Sequence, residues 1–208
     1  MRARLVTACA VILMAVWIPL PAAAQNFELT PFAGYTWGGE FSDGVTGDAL
    51  KVGENNDYGL MIDFRRDDRA QYELYLSRQS TSLKSSQVFT GSPQFDLDIE
   101  YIHIGGTYTE AEGPVMPYVA GGLGVTHMVP KGPGLSTETK FSISIGGGVK
   151  FYATDHIGLR LEGRWFGTLF NGGGSVFCAS GGGAVCAINV QGDLFSQFVA
   201  NAGVIVAF

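Results

Sequence analysis

Leu159-Arg160-Leu161-Glu162-Gly163-Arg164-Trp165 is the stretch that decides how this chain folds. Successive side chains of an extended strand point to opposite faces. Arg160, Glu162 and Arg164 therefore share one face, about 7 Å apart by strand rise, while Leu159, Leu161 and Trp165 share the other. On a helix the same charges and leucines would be mixed around the circumference. The segment reads as a strand with one apolar and one charged face.

The same period of two runs outward in both directions. Before this strand come Phe141, Ile143, Ile145, Val149 and Phe151 against Ser142, Ser144 and Lys150. Val119, Leu123 and Val125 alternate with small residues. Phe95, Leu97, Ile99 and Tyr101 alternate with Asp96, Asp98 and Glu100. Tyr72, Leu74 and Leu76 alternate with Glu73, Tyr75 and Ser77. Tyr58, Leu60, Ile62 and Phe64 alternate with Asp57, Gly59, Met61 and Asp63. Phe27, Leu29, Pro31, Ala33, Tyr35 and Trp37 face away from Glu28, Thr30, Phe32, Gly34 and Thr36. After it come Phe198, Ala200, Ala202, Val204, Val206 and Phe208. Eight strands are expected, and the class is all-β. In the fourth strand, Ile102 and Ile104 fall on the side of Asp96, Asp98 and Glu100, so a β-bulge is expected near Tyr101. The connections at 66–69, 110–117 and 154–156 are short, whereas 38–56, 78–93, 128–139 and 170–193 are long and rich in Gly, Ser, Pro and Asn.

Arg2 and Arg4, an apolar run from Ala8 to Leu20 and the close Ala22-Ala23-Ala24 read as a secretory leader over 1–24, cut between Ala24 and Gln25. The run is too short to span a bilayer as a helix. The domain is then 25–208. Its formal charge falls from −6 to −8, because both charges lost with the leader are positive. That acidity, without a Lys/Arg run, argues against nucleic acid as a partner. No later apolar run approaches the roughly 20 residues of a membrane helix.

Three features choose between a soluble sandwich and a membrane barrel. The polar faces carry charges at mid-strand, which survive enclosure only when paired. Aromatics gather near strand ends: Trp37, Tyr58 and Trp165 toward the long loops; Phe64, Tyr72, Tyr108, Tyr118, Phe151, Tyr152 and Phe208 toward the short turns. That is the pattern of two interfacial girdles. The last strand ends on Phe208, in phase with Val206 and Val204. Together these lead to an eight-stranded antiparallel up-and-down transmembrane β-barrel with short periplasmic turns and long extracellular loops.

The terminal Phe208 after Val204 and Val206, the segments 117–125 (PYVAGGLGV) and 141–151 (FSISIGGGVKF), and the stretch 159–166 resemble the outer-membrane β-barrel family that includes the OmpA transmembrane domain, OmpW and OmpX. The resemblance covers essentially all of 25–208. It implies a multi-pass protein of a Gram-negative outer membrane, surrounded by lipid and lipopolysaccharide. It also implies that Val204, Val206 and Phe208 act as a signal to the insertion machinery, with periplasmic chaperones as assembly partners. By likeness to OmpW, a narrow channel for small hydrophobic solutes is an alternative to a structural or surface-interaction role with an unknown extracellular ligand.

Residues that carry chemistry are few. His103, His127 and His156 show no metal-ligand spacing, and no cofactor or metal is expected. A lipid A-modifying enzyme needs a nucleophile and base in reach of one another; Ser80, Thr126 and His127 near a rim form no distinctive cluster, so no enzyme is expected. Gly146-Gly147-Gly148 and Gly172-Gly173-Gly174 lack the GK[ST] of a phosphate loop; the first suits a tightly curved strand and the second an outer loop. Arg160, Glu162 and Arg164 are expected to point into the lumen and to pair with Glu73, Glu100, Lys150 or Glu28. They read as a plug in preference to a gate, because an eight-stranded interior holds little more than its own side chains. Cys178 and Cys186 are expected to form a disulfide within the longest loop, in an oxidising compartment.

Overall fold

The computed structural model describes residues 26–42, 49–84, 96–110, 113–131, 136–170, 174–178, 186–190 and 194–208. The leader, its cleavage site, Phe95 and Gly172-Gly173 lie outside the described residues. In chain order the strands are β1 (Phe27–Gly38), β2 (Glu40–Ser42), β3 (Ala49–Val52), β4 (Asn55–Arg65), β5 (Ala70–Lys84) and β6 (Asp96–Thr109). They continue as β7 (Val115–Lys131), β8 (Glu138–Tyr152), β9 (Ile157–Leu169), β10 (Gly174–Cys178), β11 (Cys186–Val190) and β12 (Leu194–Ala207).

Eight of these, β1, β4, β5, β6, β7, β8, β9 and β12, pair antiparallel in chain order, and β12 returns to β1. The sheet is therefore closed, and its ladder leaves no strand edge unpaired around the wall. The two short pairs belong to the long-loop end. β2 and β3 form a hairpin whose end continues the ladder of β5, and β10 pairs with β11. The barrel strands also run further than the alternation predicts at that end, with β5 reaching Lys84, β7 reaching Lys131 and β12 starting at Leu194.

At the short-turn end the connections are stapled locally. Asp67 accepts the N–H groups of Arg69 and Ala70, both at 2.9 Å, which holds its carboxyl below the usual range. Thr154 Oγ1 accepts the N–H of Ile157 at 3.0 Å.

Polarity is inverted relative to a water-soluble barrel. Ile104 is 72 % exposed, with Val119, Leu123 and Ile145 at 59–64 %, whereas Arg160 and Arg164 are 1 % exposed. Outward apolar rows and inward charges suit a lipid surround. The outer aromatics Phe64, Tyr72, Tyr108, Phe151 and Phe208 ring the short-turn end, and Tyr35, Trp37, Tyr58 and Phe198 lie toward the other.

No bulge interrupts β6. Its pairing with β5 runs without a break from Ser82↔Asp96 to Ala70↔Tyr108, and with β7 from Asp96↔Lys131 to Thr109↔Tyr118. Leu97, Ile99, Tyr101 and His103 all face inward. The apparent slip arises because the surroundings change along the barrel while the phase does not. Near the long-loop end the lumen is apolar and the outside polar; lower down the outside is apolar.

Candidate functional site

The lumen is filled in two layers. The lower layer, toward the short turns, is an ion-pair lattice. Arg160 donates from Nη1 to Asp63 at 2.9 Å, from Nη2 to Glu73 at 2.5 Å and Glu162 at 2.6 Å, and from Nε to the Tyr118 hydroxyl at 2.7 Å. Arg164 donates from Nε to Glu162 and from Nη2 to Glu73, both at 2.7 Å. Lys150 donates to Glu28 and Gln71, each at 2.6 Å, and Tyr152 reaches Glu28 at 2.8 Å. β9 and β5 lie four strands apart around the ring, so the Arg160 and Arg164 bonds to Glu73 cross the full diameter. Each ion has at least one partner of opposite sign, and Tyr118, Gln71 and Tyr152 add neutral hydrogen bonds to Arg160, Glu162, Lys150 and Glu28, the condition under which charges persist away from water.

Geometry makes room for this lattice. A Cβ at Gly148 would collide with the Leu161 carbonyl and come within 2.8 Å of the Tyr118 hydroxyl. Gly148, the last of the β8 triplet, thus leaves the space that Tyr118 and Glu162 occupy.

The upper layer is apolar. Phe32, Met61, Tyr75, Leu97, Ile99, Tyr101, Met128, Phe166, Phe195 and Val199 pack with Val52 and Phe170 as one cluster. Tyr101 stacks on Phe166 at 4.1 Å, and Phe166 meets Tyr75 at 5.4 Å. Arg164 lies over the Tyr75 ring at 4.4 Å, joining the layers by a cation–π contact. Above the rings, Gln197 bonds Tyr101 at 2.6 Å and Gln79 at 3.2 Å. Gly38 (φ 80°) and Gly39 (φ 99°) turn the chain from β1 into β2 through left-handed conformations that other residues rarely adopt. The returning segment lays Val52 into the cluster, and Thr81 donates to the Gly53 carbonyl.

Sequence-predicted residues divide accordingly. Arg160, Glu162, Arg164, Glu73, Lys150 and Glu28 meet in the lattice, joined by Asp63, Gln71, Tyr118 and Tyr152. Glu100 does not: it faces outward, with its carboxylate 3.3 Å from Arg78, because the unbroken register of β6 turns Tyr101 and His103 inward instead. Tyr118 is also a correction, since it is 6 % exposed and lies inside the lumen, not in the outer girdle. The Tyr152 hydroxyl likewise points to the lumen mouth. The signal for Tyr118 was its even position in a strand whose odd residues, Val119, Leu123 and Val125, face out.

Asp57 stands apart. It is 3 % exposed and inward, and among the described residues no Lys or Arg forms an ion pair with it. The lumen face holds five buried carboxylates (Glu28, Asp57, Asp63, Glu73, Glu162) against three cations (Lys150, Arg160, Arg164), and Asp57 is the acid outside the lattice.

His103 is 1 % exposed, with Nδ1 3.0 Å from Ser144 Oγ and Nε2 2.8 Å from Ser142 Oγ. A nucleophile–base pair needs a third group to orient the base; here both ring nitrogens are taken by hydroxyls, beneath Phe166 at 5.2 Å. Ser80, Thr126 and His127 are not brought together: Thr126 faces inward and bonds Thr168, whereas His127 bonds Thr139 on the outside. Val204 and Phe208 face outward at the short-turn end.

The family model described as outer membrane protein beta-barrel domain matches residues 8–174. This chain belongs to that outer-membrane β-barrel family. Solved members of this architecture superpose on it at low identity. Neisserial surface protein A shares 15 % identity at a TM-score of 0.57, covering 88 % of this chain and 97 % of its own. AlkL, determined in lipid bilayers, shares 13 % at 0.62, covering 92 % and 95 %. OprG from Pseudomonas aeruginosa shares 15 % at 0.51, covering 87 % and 96 %. No curated protein sequence matches the chain. As an outer-membrane β-barrel, the protein is multi-pass, and its outward apolar rows face the membrane interior.

Proposed function

We propose that this protein is a closed, non-enzymatic barrel of a Gram-negative outer membrane, with a structural or surface-interaction role exercised at its long-loop rim. The observation that carries this reading is the Arg160–Glu73–Arg164–Glu162 lattice spanning the lumen diameter. A cavity of about 380 Å³ enters from the short-turn end and is floored by Lys150, Glu28, Gln71 and Tyr118. Above the lattice the packed rings leave a dry layer hostile to ions. In a planar lipid bilayer the protein is expected to show no steady conductance. A well-defined open state, with its selectivity altered by Glu162→Ala, overturns the plug.

The remaining assignments belong to the same proposal. The short turns face the periplasm and the long loops the exterior, as in bacterial barrels generally. Residues 1–24 direct export, and Val204, Val206 and Phe208 present the insertion signal to the assembly machinery and its chaperones.

A second reading rests on the apolar upper layer, which would accept a small hydrophobic solute if its rings moved. The lattice below blocks a straight path, so such a solute would leave through the wall. Uptake of a hydrophobic substrate by vesicles carrying the protein, abolished by enlarging Val199 to Phe, would favour that channel over a closed barrel.

Cys178 and Cys186 stand directly opposite each other in the β10–β11 pair. Opposed antiparallel residues have Cα atoms about 4.5–5.5 Å apart, within the span a disulfide requires. Protein taken from the outer membrane is expected to carry that bond. Mass spectrometry without reduction checks it, and two alkylatable thiols refute it. Opening a loop this short is expected to loosen the hairpin without unfolding the barrel.

A further inference from the structure

The outer surface changes chemistry abruptly on one wall. Across β4 to β8, Leu60, Leu76, Ile102, Val125 and Phe141 stand side by side in register, an apolar row. One step toward the long loops the row reads Tyr58, Arg78, Glu100, His127 and Thr139. On β9, β12 and β1 the corresponding border is aromatic, with Trp165, Phe198 and Trp37 in register. The girdle is thus interrupted by charge on β5 and β6.

Two details make this interruption a built feature. Asp98 points outward, yet its side chain is 3 % exposed, because Arg78 and Lys131 close over it at 2.6 Å and 2.8 Å. One carboxylate holds two cations side by side, each about half exposed, at 46 % and 49 %. Directly below lies a groove of about 350 Å³ lined by Tyr58, Leu60, Leu76 and Ile102, with Arg78 and Glu100 at its head.

We propose that this wall docks one phosphorylated, multiply acylated glycolipid of the outer leaflet, with an acyl chain in the groove and phosphates at Arg78 and Lys131. A guanidinium has five donors and an ammonium three, so both retain donors beyond those given to Asp98 and Glu100. The acids matter too: with Glu100 and Asp96 beside the cations, the cluster carries both signs. That suits a headgroup layer whose phosphates are bridged by divalent cations, the phosphates meeting Arg78 and Lys131 and the metal ions meeting the free carboxylate edges. This assignment rests on the proposed orientation, which puts the long-loop end at the outer leaflet.

The test uses the full barrel in phosphatidylcholine nanodiscs with Mg²⁺, titrated with bisphosphorylated lipid A and read by native mass spectrometry. Wild type is expected to retain lipid A, and Arg78→Ala/Lys131→Ala to weaken retention about tenfold, one charge-assisted contact or more. Arg78→Lys/Lys131→Arg is expected to restore most of it, and Arg65→Ala/Arg69→Ala at the opposite end to change nothing. Leu76→Trp, which fills the groove without touching a charge, is expected to weaken retention comparably; it serves if the double variant runs alike boiled and unboiled on a mild-detergent gel, the mark of a barrel that has not closed. Equal retention by wild type and these variants means adventitious lipid only and overturns the site. Equal binding of dephosphorylated lipid A, or full competition by phosphatidylglycerol, overturns the ligand class. Orientation is read separately, in cells, by an impermeant maleimide on Lys131→Cys with Cys178 and Cys186 changed to Ser. Labelling only after the outer membrane is opened refutes the orientation and the outer-leaflet ligand, while leaving the lipid A titration to report on the groove itself.

Discussion

Glu162→Ala is expected to lower barrel stability by about 3–5 kcal/mol, the cost of removing one partner from a buried ionic group. Its carboxylate takes bonds from Arg160, Arg164 and Tyr118. Truncation leaves Arg164 with Glu73 as its carboxylate partner and leaves the Tyr118 hydroxyl without its acceptor. Glu162→Gln keeps the shape and one acceptor oxygen, so a smaller loss is expected. Replacing Glu162, Arg160 and Arg164 together by apolar residues of similar volume is expected to cost less than the single truncation, provided Asp63 and Glu73 are neutralised as well, since lone buried charges are what is expensive. Urea unfolding in phospholipid vesicles measures each. A loss below about 1 kcal/mol for Glu162→Ala, the range of an exposed pair, would show that water reaches the lattice.

The second large effect is on the opposite face of the wall. Ile104→Arg is expected to cost about 2–4 kcal/mol, the penalty for a cation facing lipid near the midplane. Ile104 is the most exposed large apolar residue among the described residues, and its register neighbours Leu74 and Leu123 leave the new charge no partner. The contrast between Ile104 and its chain neighbour His103, buried against two serines, is what makes the test sharp. In a water-soluble barrel an outward arginine at 104 would be neutral or favourable. Unchanged unfolding in vesicles after Ile104→Arg would therefore contradict the membrane placement of this face.

Much of the architecture is legible without coordinates because alternation is a local property. Whether residue i and residue i+2 share a face depends only on strand geometry. Leu159 and Leu161 could thus be separated from Arg160 and Glu162 before any partner was known. The same logic, carried through without interruption, would have kept Tyr118 inside and Glu100 outside. Hydrophobicity alone misplaces β6, because its apolar residues do not all lie on one face. In this barrel Leu97 and Ile99 are apolar and inward, Ile102 and Ile104 apolar and outward. The medium on each side of the wall changes with height, and hydrophobicity follows the medium.

What the sequence by itself determined is the set of eight two-faced strands, the short and long connections between them, and the charged triad on one face of the seventh. What only the tertiary structure decided is which groups meet across the lumen. Glu73 reaches Arg160 and Arg164 because closure sets β5 opposite β9, and Asp63 joins them while Glu100 turns to Arg78. Those distances follow from strand register and closure of the ring, which couple residues 87 and 91 positions apart. No period in the chain encodes them, because a contact across a barrel is a property of the whole circumference.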